Sequence, residues 1–146
     1  MRLLLLLCVS MAAAAEAAPP PGSCGRGPLF TATEADGSHV DLVMSEDDVK
    51  SAPLWVPGRG EPPLSIDRLV GIAATWAATN HGRFDELRIR QITLRSMPCI
   101  GVNNEWYYQV DFDAVLGGER LAAYAHFIAV LMDGRVVVPR RVSGGS

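Results

Sequence analysis

The sequence predicts an α+β fold in which one helix packs on a curled sheet of four antiparallel strands. Apolar residues recur at spacings of three and four between residues 65 and 80, as in a helix with one buried face. Beyond residue 82 the period changes to two, and strand-like runs continue nearly to the C-terminus. Short turns separate these runs. Together these observations favour an α+β roll, in which the sheet curls around the helix.

The N-terminus has the three parts of a secretory signal peptide. A basic start at Met1-Arg2 precedes an apolar run from Leu3 to Ala15, and small residues surround Glu16. We expect cleavage after Ala17, so that residues 1–17 are removed and the protein is exported, to the periplasm or outside the cell. The run is shorter than the roughly 20 residues of a spanning helix, so no stable membrane insertion is expected after cleavage. An uncleaved anchor is the alternative.

Charge and cysteine content narrow the expected partners. The formal net charge is −3 at pH 7, and loss of Arg2 and Glu16 with the signal peptide leaves it unchanged. Without a basic bias, nucleic acid is not an expected partner. Cys24 and Cys99 are the two cysteines that remain after cleavage. In an oxidising compartment they can form a disulfide; the alternative is two small buried apolar residues.

The next segment, residues 29–63, is predicted to be a hairpin followed by a connector, after a flexible leader over residues 18–28. Leu29–Thr33 and His39–Val43 are β-prone runs on either side of an Asp-Gly turn signal. The hairpin either extends the main sheet or caps its open end. Residues 34–48 hold six acidic side chains and no basic one, which is typical of a solvated loop and strand face.

The proline-rich connector, residues 51–63, contains Trp55 between prolines. This tryptophan either packs the connector onto the body of the protein or marks an exposed recognition loop. The helix then begins after Ser65, a favourable N-cap, and is predicted to end at Asn80-His81-Gly82. Its predicted buried stripe consists of Ile66, Leu69, Val70, Ala73, Trp76 and Ala77.

Four strands complete the predicted core domain, residues 64–142, before a short tail over residues 143–146. In the first strand, a bulge near Arg90-Gln91 would place Leu87, Ile89, Ile92 and Leu94 on one face. The second strand alternates cleanly from Trp106 to Asp113. The third strand, Arg120 to Met132, has apolar residues at both odd and even positions. This pattern predicts a central strand that is buried on both faces. A type I′ turn at Asp133-Gly134 then leads to a last strand, Arg135 to Val138, which ends at Pro139.

The order of one helix and four strands, with the run WYYQVDF on a middle strand and MDGRVV in the closing hairpin, resembles small exported domains of the PepSY and cystatin-like kind. The resemblance covers Leu64 to Val142. It implies a non-catalytic module that binds another envelope protein. The inhibitory glutamine-x-valine-x-glycine hairpin of cystatins is missing, since Gln109-Val110-Asp111 lies inside a strand and no glycine follows at the required spacing.

The sequence contains no nucleophile elbow, zinc-binding helix, paired-cysteine motif or phosphate-binding glycine loop. We therefore assign no catalytic residue, cofactor or metal ligand, and expect Trp55 and Tyr107 to contact a protein partner as exposed aromatics. The alternative function is a small-ligand, metal-binding or catalytic site, in which Asp111, Asp113 and His126 share one face of adjacent strands. Self-association through the C-terminal edge strand is a third possibility.

Overall fold

The computed structural model describes residues 27–34, 37–97 and 104–142, and within 122–125 the backbone alone. These residues form two helices and two antiparallel sheets, which confirms the α+β class. The elements in chain order are β1 (Phe30–Thr33), β2 (His39–Leu42), α1 (Glu46–Ser51), α2 (Ile66–Asn80), β3 (Glu86–Ser96), β4 (Trp106–Leu116), β5 (Glu119–Leu131), β6 (Val136–Val137) and β7 (Arg140–Val142).

The main sheet has the strand order β3-β4-β5-β6, with α2 packed on one face. Helix α2 begins as predicted, because the Ser65 hydroxyl accepts a hydrogen bond from the backbone of Arg68. Leu69, Ala73 and Ala77 point into the core. The rest of the predicted stripe is partly wrong: Ile66 and Val70 are 50% and 39% exposed, whereas Ile72 packs on the core. The first turn and one flank of the stripe therefore face solvent.

The bulge predicted in β3 is confirmed. The pairing of β3 with β4 shifts register between Ile89 and Gln91, at the position of Arg90. One extra residue reverses the alternation of the strand, so apolar residues of both parities reach the same face. Leu87, Ile89, Ile92 and Leu94 pair with Ala114, Phe112, Val110 and Tyr108 respectively, the partners that pack toward α2.

The second sheet has the strand order β1-β2-β7 and covers part of the other face of the main sheet. The N-terminal hairpin is confirmed, but it does not join the main sheet. Instead, β2 pairs with the C-terminal strand β7. Phe30 of β1 packs edge-on against Phe127 of β5, with 5.0 Å between ring centroids. The central strand β5 is buried on both faces between residues 128 and 131, as its sequence predicted.

Two local features differ from expectation. Residues 46–51 form α1 at the end of the acidic run, residues 34–48, that is predicted to be a solvated loop and strand face. A capping box between Ser45 and Asp48, and three acidic side chains at the helix N-terminus, stabilise this short helix. The turn between β5 and β6 has three residues instead of two. Leu131 pairs with Arg135, and Gly134 closes the loop with φ +92°, the arrangement of a type I turn with a bulge.

Candidate functional site

Asp111 and Asp113 lie on β4 and have partners of their own. The Asp111 carboxylate accepts a hydrogen bond of 2.9 Å from the Gln109 amide. Asp113, with a side chain only 16% exposed, is 2.9 Å from the Arg120 guanidinium and 3.9 Å from that of Arg90. The charge of Asp113 is therefore paired with arginine, whereas Asp111 accepts a hydrogen bond from a neutral amide.

His126 does not share their face, and the predicted constellation of Asp111, Asp113 and His126 is wrong. In the β4–β5 ladder Phe112 pairs with His126, whereas Asp111 pairs with Phe127. Cross-strand partners project to the same face, so His126 projects with Phe112 toward the α2 side. Asp111 projects to the opposite side of the sheet.

His126 lies on the other face because of a register shift in the β4–β5 ladder that the sequence does not mark. The tight turn between β4 and β5 pairs Leu116 with Glu119. Continued without interruption, that register would pair His126 with Gln109, on the face of Asp111. The ladder instead shifts between Phe112 and Ala114. This shift reverses the parity of β5 relative to β4 and moves His126 to the other face.

His126 lines a small pocket where β5, α2 and the second sheet meet. The pocket has a volume of about 180 Å³, and its wall includes Glu34, Trp76 and Arg141. The Phe84 ring packs edge-on against the imidazole, with centroids 5.0 Å apart. Burial lowers the pKa of His126 below its ordinary value; the Glu34 carboxylate opposes this effect, while the guanidinium groups of Arg141 and Arg83 add to it. The site therefore favours a neutral imidazole.

We expect the fold to lose stability in mild acid because of His126. Its pKa is lower in the folded than in the unfolded state, where the ordinary value is 6.5. As the pH falls below that value, the unfolded state binds more protons and unfolding becomes more favourable. Urea unfolding at pH 7.5 and pH 5 measures this loss. A His126→Gln variant should lose less stability over the same interval; an equal loss in both proteins would contradict the assignment to His126.

Glu34 and Arg141 form an ion pair that the sequence analysis did not identify. The Arg141 guanidinium is 2.6 Å from the Glu34 carboxylate, whose side chain is only 3% exposed. The pair joins the end of β1 to β7 across the second sheet. A pattern search could not find it, since the two residues are separated by almost the whole domain and meet only because β2 pairs with β7.

The two aromatic residues proposed as partner contacts have different environments. Tyr107 is only 2% exposed and lies in the core between the two sheets, so the expectation that it is exposed is wrong. It is buried because the second sheet covers its face, and burial raises the pKa of its phenol. Trp55 is partly exposed. It packs edge-on against Trp106 at 5.9 Å and donates a hydrogen bond to the Gly60 carbonyl. It fastens the connector to the core.

Two grooves flank α2 on the main sheet. The first, here called the β3 groove, lies between α2 and β3 and has a volume of about 540 Å³. Its helix wall is built from Ala74, Ala77 and Ala78, whose short side chains leave the space open. The second, the β6 groove, lies between α2 and β6, with a volume of about 600 Å³. Both exist because a single helix is too narrow to cover a four-stranded sheet.

Strand β3 is an edge of the main sheet. It extends over Glu86–Ser96 and pairs with β4 on one side. Within residues 27–34, 37–97 and 104–142, no strand pairs with its other side. The bulge at Arg90 interrupts the regular hydrogen-bonding pattern of this edge, and polar side chains are exposed along it. Both features restrict indiscriminate strand pairing.

No three His, Cys, Asp or Glu side chains come together as a metal site in the part of the chain that the structure describes. In the same part, no helix has the length and apolar character needed to cross a bilayer. Cys24 and Cys99 lie outside the described residues, so their disulfide stays a prediction.

No protein-family model, curated protein or solved structure matches this chain.

Proposed function

We propose that this protein is an exported, non-catalytic module that binds an extended segment of a partner protein along β3. The observation that carries the proposal is the open side of this eleven-residue strand beside a groove. The signal-peptide-like N-terminus supports a periplasmic or secreted setting, with another envelope protein as the partner. The resemblance to PepSY and cystatin-like rolls supports the same class of function.

The edge of β3 offers the hydrogen bonds for such a complex. An edge strand presents unpaired backbone N–H and C=O groups, and an added strand satisfies them by main-chain pairing. The bulge at Arg90 divides the strand into two regular stretches, residues 86–89 and 91–96. A partner segment of about four to six residues would pair with one of them, since a longer segment would have to follow the bulge.

The β3 groove offers side-chain selectivity. Alternate residues of an added strand point to the α2 side of the sheet. There the groove is lined by Leu87 and Ile89 of β3 and by the three alanines of α2. These surfaces suit apolar side chains of small to medium size. The groove adjoins residues 86–89, so we assign the partner segment to this stretch.

A display library of random dodecapeptides provides the test. We expect selected peptides to carry alternating apolar residues and to bind with micromolar dissociation constants in calorimetry. Ala78→Trp fills the β3 groove from an exposed position and should weaken binding at least tenfold. Thr79→Trp is the matched control, because Thr79 is the next residue and lines the β6 groove. Affinity should stay within twofold.

Amide exchange gives a second measurement that is specific for strand pairing. A bound peptide should slow exchange at backbone amides of residues 86–89 that point away from β4. The proposal is wrong if no peptide is enriched, if both tryptophan variants weaken binding equally, or if the slowed amides lie away from β3.

A further inference from the structure

We infer that the β6 groove binds a fatty acid, with the acyl chain along α2 and the carboxylate at Arg68. This site is distinct from the proposed peptide site, because the two grooves lie on opposite sides of the helix. Within the described residues, the groove combines an apolar floor, the length of an acyl chain and, at one end, a cation that forms no ion pair.

The floor of the β6 groove is apolar. Ile72 and Trp76 of α2 and Val136 of β6 line it, and all three are partly buried. The Trp76 indole is held in place by Phe112, at 5.4 Å between ring centroids. Gly71, Thr75 and Thr79 form the outer helix wall. Each threonine hydroxyl already donates to a backbone carbonyl of the preceding helical turn. The hydroxyl groups of this wall therefore already have hydrogen-bond acceptors, and an apolar ligand can lie against them.

The groove has the length of an acyl chain. Its helix wall runs from Arg68 to Thr79. With a rise of about 1.5 Å per residue, this stretch is about 16 Å long. An extended medium-chain fatty acid fits this length, and the volume of about 600 Å³ lies within the range of small-ligand sites.

Arg68 places a positive charge at one end of this wall. Among the described residues, none of those that line the groove is acidic, and no ion pair involves Arg68. The Asp133 carboxylate of the β5–β6 turn is bound by the Arg135 guanidinium at 2.6 Å. The Arg68 guanidinium also lies close to Gly134, beside the β5–β6 turn. Its charge is therefore available to an anionic head group.

The β3 groove provides the contrast that makes this assignment selective. That groove is lined by Asp85 and Glu86 in addition to Arg88, and the Glu86 carboxylate is ion-paired with the Arg88 guanidinium. The lining of the β3 groove thus has two acidic residues and one arginine, whereas the described residues that line the β6 groove include one arginine and no acidic residue. Charge thus directs a carboxylate to the β6 side of α2.

Titration of the full chain with decanoate, followed by NMR, tests the inference. We expect saturable binding of one decanoate, with shifts at the Trp76 indole and at Val136. Decanol should bind about three- to fivefold more weakly, the contribution of an exposed ion pair. Arg68→Gln should weaken decanoate binding by the same factor and leave decanol unaffected.

A pair of tryptophan variants locates the site. Thr75→Trp fills the β6 groove and should weaken decanoate binding at least tenfold, whereas the neighbouring Ala74→Trp fills the β3 groove and should not. Both positions are exposed, and circular dichroism checks that each variant is folded. The inference is overturned if Thr75→Trp binds decanoate normally, if decanol binds as tightly as decanoate, or if no binding saturates. Any of these results leaves the peptide proposal standing, because that proposal depends on the other groove.

Discussion

Replacing Tyr107 with alanine is expected to lower the free energy of unfolding by about 3–5 kcal/mol, the cost of truncating a buried aromatic side chain. Tyr107 is only 2% exposed and packs between the two sheets with Phe127 and Leu131. Removing the ring would leave a cavity where the second sheet meets the main sheet. Urea denaturation monitored by circular dichroism measures the loss.

Two control variants separate packing from other effects. Tyr107→Phe keeps the ring and should cost less than about 1.5 kcal/mol, as for a substitution that conserves volume. Leu54→Ala removes a side chain that is 66% exposed, and should change stability by no more than about 0.5 kcal/mol. If Tyr107→Ala proved as mild as Leu54→Ala, Tyr107 would be a surface residue and could contact a partner.

Replacing Arg141 with methionine is expected to lower the free energy of unfolding by about 2–3 kcal/mol. Removal of one partner leaves the Glu34 carboxylate, 3% exposed, without its counter-charge. Breaking a fully buried pair costs about 3–5 kcal/mol. We expect a smaller value because the Arg141 side chain is 53% exposed and water screens part of the interaction.

A double-mutant cycle with Glu34→Gln identifies the cause. The double variant should be more stable than Arg141→Met alone, since the uncompensated charge is gone. Lys50→Met is the matched control. Its ion pair with Glu46 is 69% and 65% exposed, so its loss should leave the unfolding curve almost unchanged. Additive effects in the cycle, or an Arg141→Met variant as stable as Lys50→Met, would contradict the structural role of this pair.

Predictions that depend on neighbouring residues agree with the structure better than predictions that depend on residues far apart in the chain. The N-cap at Ser65 and the β3 bulge near Arg90 are confirmed, and both depend on neighbouring residues. The helix α1 was missed although it too has a local signal, the capping box between Ser45 and Asp48. High acidity is typical of a solvated loop, but negative charge at a helix N-terminus is also stabilising.

The candidate sites were harder to predict because each depends on which faces meet. The parity of His126 relative to Asp111 is set by a register shift in the β4–β5 ladder. Arg68 carries no motif, and its relevance arises from the groove that α2 and β6 enclose. A strand register and a groove depend on how separate elements pair and pack, and the type of a single residue does not reveal them.

The sequence by itself determined the α+β class, the position of α2, the bulge in β3 and the central place of β5, because hydrophobic period and capping chemistry act within a few residues. Only the tertiary structure decided that β7 returns to pair with β2. That long-range pairing builds the second sheet, buries Tyr107 and joins Glu34 to Arg141. Pairing between distant strands depends on the shape and register of both partners, which no local pattern encodes.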